Sequence, residues 1–209
     1  MIVTISREYG AAGLGVADGV ARALEYELLA DELPKAVAAR LGTTPEEVAA
    51  RAISRAPFPE RMLGGLGAGT AEILSGPASP APDEFDESVR REIERAIRET
   101  AARGDVVILG RNAAAVLGPR PDLVRVFLTA ERAWRIERIV ETFGIPRARA
   151  GAEVDRVDAK RRSFTRERYK AVWGDPHFYD LIVDTSRFGV EGAVEIVTAA
   201  VRVASAGRT

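Results

Sequence analysis

Three glycines fall within six residues in the stretch Ser6-Arg7-Glu8-Tyr9-Gly10-Ala11-Ala12-Gly13-Leu14-Gly15. Before it stands the β-branched run Ile2-Val3-Thr4-Ile5, and after it Val16, Val20, Ala21 and Leu24 recur at helical spacing. A run without polar alternation suits a strand buried on both faces. A glycine-rich turn between such a strand and a helix lets backbone N–H groups converge on an anion, and the helix dipole adds to the attraction. Ile2–Leu24 therefore reads as a phosphate cradle walled by Gly10, Ala11, Ala12, Gly13, Leu14 and Gly15. The plain alternative is a tight turn that packs a helix closely on a strand. Gly10 and Gly15 have the separation of Gly-x-x-x-x-Gly-Lys-[Ser/Thr], but Val16 and Ala17 stand where the Lys and the hydroxyl residue belong. The spacings of Gly10, Gly13 and Gly15 also reverse those of Gly-x-Gly-x-x-Gly.

Further groups must be positioned around such a cradle by strands and helices. Glu25–Leu29 reads as a short second strand ending near Asp31, which either faces a ligand or caps the next helix. Helix follows over about Glu32–Leu41, and Thr44-Pro45-Glu46-Glu47 starts another, with Thr44 as cap and Glu47 as its capping-box partner. Prolines and glycines crowd Ala56–Pro82, which predicts a mobile functional loop with one short helical piece near Glu60–Leu63. A long helix is expected from about Asp83 to Arg103, turning Val89, Ile93, Ala96, Ile97 and Thr100 inward.

Asp105–Leu109 is the clearest buried strand and runs straight into Gly110-Arg111-Asn112. Val124–Leu128 is a fourth strand and feeds a helix over Glu131–Phe143. Pro146–Tyr169 reads as a strongly basic helix carrying Arg156, Lys160 and Arg161 among others. Asp180–Asp184 is a fifth strand, and a closing helix runs from Gly189 to about Val203.

Five apolar strands separated by helices predict one α/β domain, a five-stranded parallel sheet with helices on both faces. Ligands sit off the carboxyl ends of such strands, an edge that takes in the Gly10–Gly15 loop, Asp31, Arg111 and Asp184. The Gly/Pro-rich stretch and the basic helix are placed to close over that edge. Two covers above a phosphate-binding edge suit phosphoryl transfer, where water is excluded and charge neutralised.

Composition narrows the alternatives. The 209 residues carry 30 Lys and Arg against 31 Asp and Glu, so no overall basic field points to nucleic acid. The absence of cysteine excludes disulfides and thiolate chemistry, and a single histidine, His177, argues against a multi-histidine metal centre. A strand at the second residue leaves no room for a secretory leader, and no apolar run reaches ~18 residues. The expected compartment is the cytoplasm, with no membrane partner. Nothing in the sequence specifies an oligomeric state.

Several collinear pieces resemble the cytidylate kinase-like family, a nucleoside monophosphate kinase branch of the P-loop fold. They are Ile5–Gly10, Val107–Arg111, Pro121–Leu128, Arg156–Arg161, Trp173–Pro176 with Tyr179-Asp180, and Asp184–Ser186 before Gly189-Val190-Glu191. The resemblance implies a core over 1–30, 104–145 and 178–209, an acceptor-binding insertion over about 31–103 and a helical lid over about 146–177. It also implies ATP, Mg²⁺ and a small nucleotide as partners. Arg111 matches the arginine that grips the acceptor monophosphate, a task suited to the guanidinium fork, with an ordinary surface arginine as the alternative. Asn112 replaces the following Asp. Asp158 and Arg161 match acceptor-contacting lid residues, with Arg156 and Lys160 as supporting cations. A solvated helix face, or for Asp158 a pair with a neighbouring base, explains these residues equally well. Asp31 falls where the acceptor region begins.

The departure lies in the cradle, where the family's Lys and hydroxyl residue align with Gly13 and Gly15. Arg7 is the candidate substitute cation. The kinase reading, with CMP or dCMP as acceptor, therefore stands beside a non-catalytic nucleotide-binding one. A third reading comes from the likeness of Gly10–Gly15 to the loop of short-chain dehydrogenases. That chemistry needs Tyr-x-x-x-Lys, which none of Tyr9, Tyr26, Tyr169 and Tyr179 supplies.

Overall fold

The computed structural model describes residues 1–30, 32–52 and 84–207. The chain divides into two compact units, Met1–Ala30 with Ile97–Thr209, and Asp31–Ala96.

The first unit is built on a five-stranded sheet in the order β2-β3-β1-β4-β5, parallel throughout. The strands are β1 (Ile2–Arg7), β2 (Glu27–Leu29), β3 (Val106–Leu109), β4 (Leu123–Thr129) and β5 (Leu181–Asp184). β1 lies at the centre, pairing Ile5 with Leu109 on one side and with Val126 on the other. Alternation along β1 sends Val3 and Ile5 to one face and Ile2 and Thr4 to the other. On the Val3 face, α1 (Gly13–Leu24) contributes Val16, Val20 and Ala21 to the core, and α8 (Thr185–Ala206) contributes Ala193, Val197 and Val201. Each of these valines, removed from water, contributes about 1.5–3 kcal/mol, and the alanines less.

Four helices complete the path of this unit: the end of α4 (Glu84–Arg103), then α5 (Ala113–Leu117), α6 (Arg132–Phe143) and α7 (Arg147–Tyr169). In α4 the residues expected to face inward, Val89, Ile93, Ala96, Ile97 and Thr100, are all buried. α5 has no forecast in the sequence, because five residues are too short for a periodic signal to stand out. β2 begins two residues late: Glu25 adopts a left-handed conformation to cap α1, and Tyr26 N–H bonds back to Ala21 O. α8 starts before Gly189, because Asp184 caps it by accepting from the N–H groups of Ser186 and Arg187. Gly189, at φ 68 and ψ −177, then breaks the helix before it resumes.

The second unit contains α2 (Glu32–Leu41), α3 (Pro45–Ala52) and the first part of α4. Val37, Ala38, Val48, Val89, Ile93 and Ala96 are among its buried apolar side chains. Thr44 caps α3, its Oγ1 accepting from Glu47 N–H at 3.2 Å, while the Glu47 carboxylate pairs with the Thr43 hydroxyl. The expected loop over 56–82 and the candidate Asp31 lie outside the described residues. Among the described residues no helix is long and apolar enough to cross a membrane.

Candidate functional site

Because the sheet is parallel, β1, β3, β4 and β5 end on one edge, at Arg7, Leu109, Thr129 and Asp184. From Arg7 the chain continues one more rung along β4, Glu8 N–H donating to Leu128 O at 3.0 Å. It then turns, Ala11 N–H donating to Glu8 O at 3.2 Å, with Gly10 at φ 85 and Ala12 at φ 55. Val16 N–H makes the first intrahelical bond of α1, to Ala12 O at 3.2 Å. The N–H groups of Gly13, Leu14 and Gly15 precede that bond, so they are the donors a helix N-terminus leaves open, and the helix dipole reinforces their pull on an anion.

Arg7 runs across this N-terminus. A Cβ added to Gly13 would lie 2.7 Å from Arg7 Cγ, and one added to Gly110 would overlap Arg7 Nη1. The two glycines leave a corridor that carries the guanidinium from the start of α1 to the end of β3. There Gly110, Arg111 and Asn112 take left-handed conformations in succession, at φ 75, 54 and 53. The two residues with side chains each bear a cost of roughly 1–2 kcal/mol. The turn holds Arg111 half-buried and makes Asn112 the N-cap of α5. Asn112 Oδ1 accepts from the Thr165 hydroxyl of α7 at 2.7 Å.

α7 meets the loop at further points. Arg161 Nη1 donates to Arg7 O at 2.9 Å, and its guanidinium carbon lies 5.8 Å from the centre of the Tyr9 ring. Arg156 is held by Glu153 through two bonds of 2.8 and 2.5 Å. Lys160 is half-buried on the same helix. Asp158 is 3% exposed, too buried to be a solvated helix-face residue. Its carboxylate accepts from Tyr9 N–H at 2.8 Å and from Arg135 Nη1 at 2.5 Å.

Arg135, on α6, is itself 6% exposed and also donates to Tyr9 O at 3.1 Å and Ala130 O at 3.0 Å. Its Nε lies 3.6 Å from Glu8 Oε2, which accepts from the Thr129 hydroxyl and Ala130 N–H at 2.8 and 3.0 Å. Burial pushes the Asp158 carboxyl upward, and Tyr9 N–H and Arg135 oppose it. The ion pair is the arrangement that leaves neither buried charge orphaned.

Of the candidates read from the sequence, the structure brings together the Gly10–Gly15 loop, Arg7, Asp158 and Arg161, and it ties Asn112 to α7. Arg156 is engaged with Glu153. Asp184 serves as a helix cap, and Thr185, fully buried, bonds to Ala11 O and Thr129 O at 3.2 Å each. Glu8, Arg135 and Thr165 escaped the sequence reading. Arg135 left one signal: it stands four residues before Ile139 and beside Ile136, on the buried stripe of α6. A charge on a core-facing stripe demands a buried partner.

Among the described residues no group of three or more His, Cys, Asp or Glu is placed to hold a metal ion. Glu8 and Asp158, the carboxylates at the loop, are committed to the bonds above.

This sheet order, with a glycine turn feeding a helix at the edge beside β3, defines a P-loop kinase type of α/β protein. A solved structure of an uncharacterized protein from Eubacterium ventriosum superposes with a TM-score of 0.69 at 19% identity, over 97% of this chain and 98% of that one. A shikimate kinase from Bacteroides thetaiotaomicron superposes at 0.53 with 14% identity, over 97% and 98%. At such identities the likeness is one of fold. Residues 2–187 match the cytidylate kinase-like family, and the chain belongs to it. A cytidylate kinase of Methanocaldococcus jannaschii is 34% identical over 121 residues, 56% of this chain and 67% of that protein. The matches span about two thirds of the length of the first curated relatives.

Proposed function

We propose that this protein is a nucleoside monophosphate kinase-like phosphotransferase that moves the ATP γ-phosphoryl group to a monophosphate acceptor, CMP or dCMP. The observation that carries the reading is Arg7, whose stem crosses Gly13 at the start of α1 so that its guanidinium lies against Gly110 at the end of β3, beside a loop lacking the Lys. Membership in the cytidylate kinase-like family supports the choice of acceptor.

The open N–H groups of Gly13, Leu14 and Gly15 hold donor phosphates by dipole and hydrogen bonds. Arg7 and Arg161 supply positive charge that offsets the negative charge on the oxygens of the transferred group, with Arg156 and Lys160 also on α7. Arg111 grips the acceptor phosphate at the end of β3 with its two-pronged fork, and Asn112 stands beside it. An acceptor phosphate oxygen attacks the γ-phosphorus in line. The new P–O bond forms as the bond to the β-phosphate oxygen breaks, and ADP leaves. Mg²⁺, arriving with the nucleotide, would shield phosphate charge, since the chain's own loop carboxylates are committed elsewhere.

A coupled ADP-release assay across a panel of nucleoside monophosphates, with Arg111→Ala beside the parent, tests the proposal. Turnover with CMP or dCMP that the substitution abolishes is the expected result. Silence across the panel from protein that still binds ATP would favour a nucleotide-binding protein without transfer, the reading that the Lys-free loop supports.

A further inference from the structure

Arg135 makes four polar contacts around the base of the loop, through Tyr9 O, Ala130 O, Asp158 and Glu8. The loop closes on α6 at the same place: a Cβ on Gly10 would lie 2.9 Å from Arg135 O, a backbone atom that cannot swing aside. Asp158 completes the knot from α7, taking Tyr9 N–H with one oxygen and Arg135 with the other. The N–H and the C=O of Tyr9 are thereby engaged by side chains from two different helices.

We propose that Arg135 and Asp158 are positioning residues, a buried latch that fixes the Glu8–Gly10 limb of the loop and seats α7 on it before any nucleotide arrives. The shape of this limb is held by protein groups alone. The same latch seats Arg161 on Arg7 O, because Asp158 and Arg161 lie three residues apart on one helix face and both reach the loop. A latched loop meets the nucleotide without first being ordered. An unlatched one binds with an affinity reduced by the fraction of molecules in the competent shape.

This inference rests on the proposed phosphate site, and its test is arranged to survive failure of the transfer reading. Asp158→Asn keeps an acceptor for Tyr9 N–H but removes the charge that answers Arg135. Arg135→Met removes the other half. The double variant Arg135→Met/Asp158→Leu replaces the pair by apolar groups, a change that commonly preserves or restores stability. Three quantities are measured for each: urea stability, affinity for ATP·Mg²⁺, and hydrogen exchange of the Tyr9 and Gly10 amides.

The latch predicts that the double variant recovers stability while its affinity stays at least tenfold weaker than the parent's, as for a loop competent in about a tenth of molecules. It also predicts faster exchange at Gly10 in Asp158→Asn, although the acceptor for Tyr9 is retained. A double variant that recovers both stability and affinity would overturn the latch and make the pair a mere scaffold. If the parent protein binds ATP but transfers nothing, the affinity and exchange tests still decide the matter. If it binds no ATP, the phosphate site falls, and unchanged Gly10 exchange in Asp158→Asn would overturn the latch as well.

Discussion

The Arg7 side chain and the α-carbon of Gly13 share one small volume: a Cβ on Gly13 would stand 2.7 Å from Arg7 Cγ. The clash would involve the stem of the arginine, which cannot retreat as its guanidinium can. Arginine and a side chain at position 13 therefore compete for the same space.

That competition predicts a reciprocal pair of variants. Gly13→Lys alone, which places a lysine at the family's usual position, should displace Arg7 and weaken ATP binding. Arg7→Ala alone should weaken it too, a charge-assisted phosphate contact being worth about 1.5–3 kcal/mol, or roughly 10- to 150-fold. Combined, the two substitutions should recover much of the loss, because the lysine then occupies the vacated corridor. Calorimetric titration with ATP·Mg²⁺ measures all four proteins. Additive losses in the double variant would separate Arg7 from phosphate binding.

A second prediction concerns acid stability. Asp180, just before β5, accepts from Arg125 Nε and Nη2 at 3.1 and 2.8 Å and from Arg125 N–H at 2.8 Å. Desolvation pushes its carboxyl upward, but the Arg125 bonds outweigh that and hold it below the ordinary carboxylate range. A group lowered on folding contributes its full stability above the unfolded value of about 3.9 and loses it as pH falls through the lowered folded value. Urea midpoints should therefore differ between the parent and Asp180→Asn at pH 6 and converge as pH falls below roughly 4. A difference that persists unchanged into acid would assign the effect to packing.

How far the site was legible follows from the range of its contacts. β1, β3 and β4 announce themselves as apolar runs, and Thr44-Pro45 marks the start of α3, because each signal lies within a few neighbouring residues. The glycines of the loop were visible, but the reason for one of them was not. Gly13 is small because Arg7 crosses it toward Gly110, a relation that exists only once β1 and β3 are paired. Asp158 illustrates the same limit: its spacing offered partners within its own helix, whereas its partner is Arg135, 23 residues away on α6.

Thr165 carries the last prediction. Its buried hydroxyl lies 2.7 Å from Asn112 Oδ1 and 2.8 Å from Arg161 O, so it joins α7 to the left-handed turn that also positions Arg111. Thr165→Val keeps the volume and removes the hydroxyl, freeing the Asn112 amide to turn. The stability cost should be modest, about 0.5–1.5 kcal/mol for one hydrogen bond. If Asn112 and Arg111 face the acceptor, the KM for the monophosphate should rise while the KM for ATP stays near the parent value, and Thr165→Ser should restore both. Steady-state kinetics with each substrate varied in turn makes the comparison. A rise shared equally by the two substrates would show that the bond supports the site as a whole rather than its acceptor side.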